Sequence, residues 1–263
     1  MKIWCQLPMQ FDVDSPKTKK FFDLIEVGFR LVKREDTETK IVPVSKGIST
    51  MEWMTYPGFR FLNEREILRS SLQGEKEGYD GIIMANYFDS GLWAVRQMTT
   101  IPVTGFAEAT MLFACMVGNK FATIVANEKF TVDMENTIER YGLRSRAIDY
   151  KPVRDLTLTY DTIQDCFYGN YAPLITDFEA TARTCIADGA EVIIAGGGIF
   201  SLLLTQGGVR EIDGVPVLDP FIISLKTAEM AVDLHKAGIP VKSRERLYLT
   251  PSQNLIEEAV KFF

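Results

Sequence analysis

Residues 78–110 read GYDGIIMANYFDSGLWAVRQMTTIPVTGFAEAT. The apolar run Ile82-Ile83-Met84-Ala85 follows Gly78 and Gly81 and ends at the polar turn Asn86-Tyr87-Phe88-Asp89-Ser90-Gly91. An uninterrupted apolar run of that length, bounded by turn residues, predicts a strand buried on both faces of a parallel sheet. The turn leads into a predicted helix from Leu92 to Met98, then a short strand at Ile101-Pro102-Val103 and a helix from about Glu108. Strand, turn and helix make half a βαβ unit. Ligands of open α/β sheets sit outside the carboxyl ends of the strands, which directs attention to Asn86, Tyr87, Asp89 and Ser90.

The pattern returns 111 residues later. Gly189-Ala190-Glu191-Val192-Ile193-Ile194-Ala195-Gly196 matches residues 78–85, and Val215-Pro216-Val217 answers Ile101-Pro102-Val103. The interval is too long for a solenoid repeat. It predicts two similar α/β halves and sets Gly197 opposite Asn86, with two strand ends facing each other across one cleft. The expected fold class is α/β, with two Rossmann-like half-domains whose parallel sheets are related by an internal pseudo-repeat. The first half is expected over 1–115 plus about 219–263 and the second over 116–218.

The chain has 263 residues, 46% apolar and 24% charged, with a net charge of −6. That is ordinary for a globular enzyme and argues against an electrostatic grip on nucleic acid. The basic runs Lys17–Lys20 and Lys242–Arg246 read as solvated helix faces. No apolar run approaches the ~20 residues of a membrane helix. Met1–Cys5 is too short for a secretory core and reads as a first strand, so the expected compartment is the cytoplasm. Cys5, Cys115, Cys166 and Cys185 lack metal-ligand spacing and read as free thiols rather than a disulfide framework. The one histidine, His235, lies in a helix pattern near the C-terminus. No metal and no cofactor is expected.

Taken in order, strand one is expected over Lys2–Gln6, and the turn at Leu7-Pro8-Met9-Gln10 belongs to the cleft. Ser15-Pro16 opens a helix reaching about Arg34, and strand two is expected at Ile41–Val44. Residues 45–59 contain Ser49, Thr50, Trp53, Tyr56 and Phe59 without a clear period, and read as a binding loop or lid. A helix is expected over about Glu64–Glu77. In the second half the expected strands are Phe121–Val125, Ala147–Tyr150 and Val192–Ala195. Helices are expected from Asn127 to Tyr141, Asp177 to Ala187, Ile199 to Leu204 and Asp219 to Lys236. Residues 156–171 read as irregular, and a last helix is expected over Ser252–Phe263.

Gly196-Gly197-Gly198 allows backbone N–H groups to face an anion at a helix start. It is neither a G-x-G-x-x-G fingerprint nor a P-loop, and a tight turn explains the glycines equally well. Asp89 is a candidate base or a cap for the helix after Gly91. Tyr87 is a candidate proton donor or packing ring. Trp53, Tyr56 and Phe59 line a pocket or form a small satellite core. Glu108 reads as a helix-start carboxylate.

Two α/β halves, the motif N-Y-F-D-S-G-L at 86–92 and I-P-V-x-G-x-x-E-A at 101–109 resemble the aspartate/glutamate/hydantoin racemase superfamily, nearest its hydantoin racemase branch. The resemblance implies one cysteine at a strand end in each half, one thiolate removing a proton and the other thiol returning it. Here those positions carry Asn86 and Gly197, and Leu7-Pro8-Met9 stands where the family has an N-P-N turn. Two-thiol racemisation does not run on these residues. The resemblance therefore implies a cofactor-independent lyase, isomerase or hydrolase for a small carbonyl or carboxylate compound, aromatic ones included. Asp89 would be the base, Tyr87 the donor, and the amides around Asn86, Gly197 and Gly198 the oxyanion donors. Pro8, Met9, Ser49, Thr50, Ser90, Trp53 and Tyr56 would complete the substrate site. The alternatives are a non-catalytic small-ligand-binding protein and a racemase using residues other than cysteine. The expected partners are a small-molecule substrate and further copies of the chain, with no nucleic acid and no membrane. Gly197→Val is expected to block the ligand with little loss of stability.

Overall fold

Strand β1 (Lys2–Gln6) pairs in parallel with β2 (Glu38–Val42) on one side and with β3 (Gly81–Met84) on the other. β4 (Val103–Gly105) pairs in parallel with β3, giving the order β2-β1-β3-β4. The second sheet repeats that order. β5 (Phe121–Val125) lies between β6 (Val153–Asp155) and β7 (Val192–Ala195), and β9 (Val215–Leu218) follows β7. The two-residue β8 (Glu211–Ile212) adds an antiparallel edge. The protein is thus α/β, with two parallel sheets of like topology. This computed structural model describes residues 1–261; the last two positions of the expected C-terminal helix, Phe262 and Phe263, lie outside the described residues.

Between these strands run α1 (Pro16–Arg30), α2 (Met51–Met54), α3 (Pro57–Lys76), α4 (Leu92–Met98), α5 (Phe106–Val117) and α6 (Thr131–Arg140). They are followed by α7 (Tyr160–Asp165), α8 (Ala172–Ala187), α9 (Gly198–Gln206), α10 (Pro220–Lys236) and α11 (Gln253–Val260). No described helix is long and apolar enough to cross a membrane. β3 and β7 are buried along their whole length, as their unbroken apolar runs require.

Helix α10 leaves the second sheet and packs on β3, β4 and α5. The Phe221 ring, at its start, meets Phe106 of α5 edge-on at 4.6 Å and Phe29 of α1 at 5.9 Å. Edge-to-face pairs at such separations add to the burial of the rings themselves. Asp219 caps α10 by accepting from Phe221 N (2.9 Å), and it also holds the Ser201 and Thr205 hydroxyls. These contacts join the two halves through one core.

Several expected elements lie elsewhere. Strand two is Glu38–Val42, not Ile41–Val44, because its register with β1 runs from Lys2↔Glu38 to Gln6↔Val42. Of Ala147–Tyr150 only Ala147 makes a bridge, to Phe121; the strand is Val153–Asp155. The 45–59 segment is not a plain loop. Thr50 accepts from Trp53 N and caps α2, and Pro57 opens α3 seven residues before the expected start. Proline's fixed φ and missing N–H suit the first helical turn, so the Pro57-Gly58 pair is a start signal and not a breaker. Residues 156–171 likewise contain α7 and a 3₁₀ turn at Cys166–Tyr168.

Candidate functional site

The ends of β3 and β7 are built alike. Ala85 N donates to Gln6 O (2.8 Å) and Asn86 N to Met84 O (2.8 Å). Gly196 N donates to Ile124 O (2.7 Å) and Gly197 N to Ala195 O (2.8 Å) in the same pattern. Asn86 and Gly197 are therefore equivalent positions, and both line one inner chamber of about 100 Å³. An outer chamber of about 620 Å³ adjoins it, sharing the side chains of Met9, Phe21, Met51 and Phe130.

The three glycines serve close packing. None has a positive φ, so a left-handed turn is not what requires them. A Cβ on Gly196 would stand 2.5 Å from Thr123 Cγ2 and 2.8 Å from Tyr87 Cε1. A Cβ on Gly197 would stand 2.4 Å from Phe200 Cε1, so the Phe200 ring fills the space a side chain there would need. The expectation that Gly197→Val spares stability is corrected accordingly: its φ of −170° is unstrained, but the substituent collides with a buried ring. The N–H groups of Asn86 and Gly197 are used within their own turns, so the oxyanion donors expected there reduce to the backbone N–H of Tyr87 and that of Gly198 at the first turn of α9, whose N–H has no carbonyl within its helix. We expect Gly196→Ala to destabilise the fold by about 1–2 kcal/mol through overpacking against Tyr87, Thr123 and the Ile124 carbonyl. Chemical denaturation measures this, and an unchanged midpoint would mean the two halves yield at this contact.

Polar groups in the inner chamber are few. Asn86 is buried, and its Oδ1 accepts from Phe88 N (3.1 Å) while its Nδ2 has no partner among the described residues. The Tyr87 hydroxyl lies beside the Thr123 hydroxyl without hydrogen-bond geometry, and each lacks a partner among the described residues. Burial pushes the Tyr87 phenol well above its ordinary range; the neighbouring Thr123 opposes this and the Asp89 charge adds to it. At neutral pH Tyr87 is a neutral hydroxyl. Leu7, Pro8, Met54, Phe88, Ile163 and Phe221 make most of the remaining wall apolar.

The expected site residues divide four ways. Pro8, Met9, Asn86, Tyr87, Gly197 and Gly198 line the inner chamber. Met9, Ser49, Thr50 and Tyr56 line the outer one, together with Glu52. Trp53 lines neither, and its half-exposed ring packs on Phe59 at 5.9 Å. Asp89 and Ser90 lie at a separate cavity of about 430 Å³ beside Arg60 and Arg140. The Asp89 carboxylate does not cap α4, whose N-cap is Gly91. It instead accepts from Ala107 N (3.2 Å), Glu108 N (2.8 Å) and the Tyr141 hydroxyl (2.6 Å), capping α5 from a distance. Burial raises its pKa to about 6 against the pull of those three donors.

Phe200, Met51, Met54, Phe130 and Tyr160 were not singled out by the sequence. The first follows the glycines by two residues and belongs to the signal already read there. Met51, Met54 and Tyr160 come from short helices inside stretches without clear period, and Phe130 ends a 3₁₀ turn at the start of the helix expected from Asn127. The four cysteines, all free, line neither chamber: Cys5, Cys166 and Cys185 are buried elsewhere and Cys115 lies on α5. His235 is exposed on the last turn of α10.

Comparison with known proteins places this geometry. The chain is 25% identical over 224 residues to a hydantoin racemase of Pseudomonas sp. (strain NS671), covering 83% of this chain and 84% of that one. It is 26% identical over 178 residues to a hydantoin racemase of Rhizobium meliloti, covering 68% and 67%. Among solved structures, the allantoin racemase from Klebsiella pneumoniae superposes with a TM-score of 0.78 at 23% identity, covering 96% of this chain and 94% of the other. The allantoin racemase from Pseudomonas fluorescens superposes with a TM-score of 0.72 at 19% identity, covering 95% and 97%. The Asp/Glu/hydantoin racemase family model matches residues 61–228, which include both strand ends and the glycine turn, and the chain belongs to that family.

Proposed function

We propose that the protein binds a small carbonyl compound of the hydantoin type in the inner chamber, with any substituent lodged in the outer one, and does not racemise it. The carrying observation is the chemistry of the inner wall. Between Asn86 and Gly197 it offers an amide, phenols, backbone and apolar side chains, and, among the described residues, no thiol, imidazole, carboxylate or ammonium group. Racemisation needs a base on one face of the carbon and an acid on the other, each with a pKa suited to the operating pH. An amide fills one of the two equivalent positions, and Phe200 occupies the side-chain space of the other.

A second reading follows from the relatives, whose names are racemases and so favour proton transfer over lyase or hydrolase chemistry. In that reading Tyr87, a buried neutral hydroxyl without a partner among the described residues, donates a hydrogen bond to the ligand carbonyl oxygen and stabilises the enolate left when solvent hydroxide removes the C5 proton, which solvent then replaces with deuterium.

Incubation of the protein with 5-benzylhydantoin in D₂O, with calorimetry alongside, separates the readings. Binding with deuterium uptake at C5 no faster than the protein-free background is the expected result. Uptake above background that Tyr87→Phe abolishes would replace the first reading by the second. Absence of binding would remove both.

A further inference from the structure

We propose that Asn86 acts as a fixed hydrogen-bond donor that selects ligands presenting an uncharged carbonyl oxygen, and that the inner chamber excludes the same skeleton as a carboxylate. This rests on the binding reading above and names the chemistry the site reads.

The orientation of the amide is set locally. Phe88 N donates to Asn86 Oδ1 at 3.1 Å, closing a turn over two residues. A side-chain amide offers an oxygen acceptor and a nitrogen donor. With the oxygen held by a backbone N–H, the nitrogen is the unsatisfied end of the amide. That nitrogen is fully buried and has no partner among the described residues, while Asn86 itself lines the chamber. A buried donor left unpaired carries a desolvation penalty, and a ligand oxygen placed against it removes that penalty. A ligand N–H cannot do so, because both partners would be donors.

The discrimination against charge comes from the rest of the wall. No Lys, Arg or His lines the inner chamber among the described residues. Lys17 and Lys129 line the outer chamber, where Glu52 and Asp161 also stand, and Lys129 lies over the Tyr56 ring at 4.9 Å. A carboxylate entering the inner chamber would lose its hydration with only neutral donors to replace it. The first turn of α9 at Gly198 favours an anion. A neutral carbonyl uses the same donors without the cost of desolvating a full charge.

Calorimetry at pH 7 with three probes tests this: 5-benzylhydantoin, its ring-opened acid N-carbamoylphenylalanine, and the methyl ester of that acid. The hydantoin and the ester are expected to bind at least about 30-fold more tightly than the acid. The acid binding as well as the ester would overturn the selection against charge and leave the binding reading standing. Failure of all three to bind would overturn the binding reading and this inference with it. Asn86→Leu removes the donor at similar volume and is expected to weaken hydantoin binding at least about 10-fold. Because Leu also frees the Phe88 N–H, Asn86→Asp serves as the paired variant: it keeps the oxygen acceptor for Phe88 but removes the donor. Unchanged affinity in either variant, with an unchanged melting temperature, would take the donor role away from Asn86.

Discussion

Asp89→Ala is expected to lose about 3–5 kcal/mol of stability, with a fall in melting temperature on the order of 10 °C. The carboxylate is buried and serves three donors: Ala107 N on Oδ1, and Glu108 N with the Tyr141 hydroxyl on Oδ2. Alanine strands two N–H groups at the start of α5 and a hydroxyl from the end of α6, and each buried donor without a partner costs about 1–3 kcal/mol. The backbone adds a second penalty, because Asp89 has φ 50°, a left-handed conformation that Asn, Asp and Gly tolerate better than Ala. Asp89→Gly relieves the backbone and still strands the donors. Asp89→Asn also keeps the left-handed backbone, but it must turn its NH₂ toward one donor, since both carboxylate oxygens accept. The expected order of stability is wild type, then Asn, then Gly, then Ala. Equal stability of Asn and wild type would show that one oxygen suffices.

The same carboxyl gives a pH signature. Burial holds its pKa near 6 in the fold, above the usual carboxylate value of 3.8. The folded protein therefore keeps this proton to higher pH than the unfolded chain does. The contribution is complete below about pH 4 and is lost as pH rises through about 6, by up to about 3 kcal/mol. Melting temperature measured from pH 4 to 7 is expected to fall less steeply in Asp89→Asn than in the wild type. Parallel profiles would assign the slope to other groups.

The fold was legible because its two central strands are apolar along their whole length. Ile82–Ala85 and Val192–Ala195 need no partner information to be recognised as buried, and their spacing already implied two halves. The positions at their ends, Asn86 and Gly197, were legible for the same reason. Asp89 was not, because its role depends on a helix start eighteen residues away in the chain, and Tyr141 reaches it from the other half. No local spacing carries that. Position after a strand end placed Asp89 near the cleft, whereas its left-handed backbone turns the carboxylate toward α5 and away from the chamber. The roof of the chamber was hidden in another way. Met51 and Met54 sit on a single helical turn, too short for a hydrophobic period to show.

Arg60→Leu is expected to destabilise the protein by about 3 kcal/mol and to loosen that roof. Arg60 lies on the first turns of α3 and is buried. Its guanidinium donates to the Met54 carbonyl at the end of α2, pairs with Asp133 on α6 in the second half, and lies over the Phe88 ring at 4.6 Å. One planar cation thus ties the roof helix, the turn after Asn86 and the opposite half together. Removing one member of a buried pair commonly costs 3–5 kcal/mol. Asp133 is 30% exposed, so water compensates part of its loss and the lower end applies. Leucine preserves some packing on Phe88 but leaves the Met54 carbonyl unbonded. Lysine retains the charge, but its single ammonium cannot match the two-pronged, stacked arrangement, so Arg60→Lys is expected to recover less than half of the loss. Hydrogen exchange should rise over residues 51–59 and at Phe88 in Arg60→Leu, with little change in β1 or β7. If the roof helix exchanges at the wild-type rate in that variant, α2 is held by its methionine packing alone and Arg60 serves only the Asp133 contact.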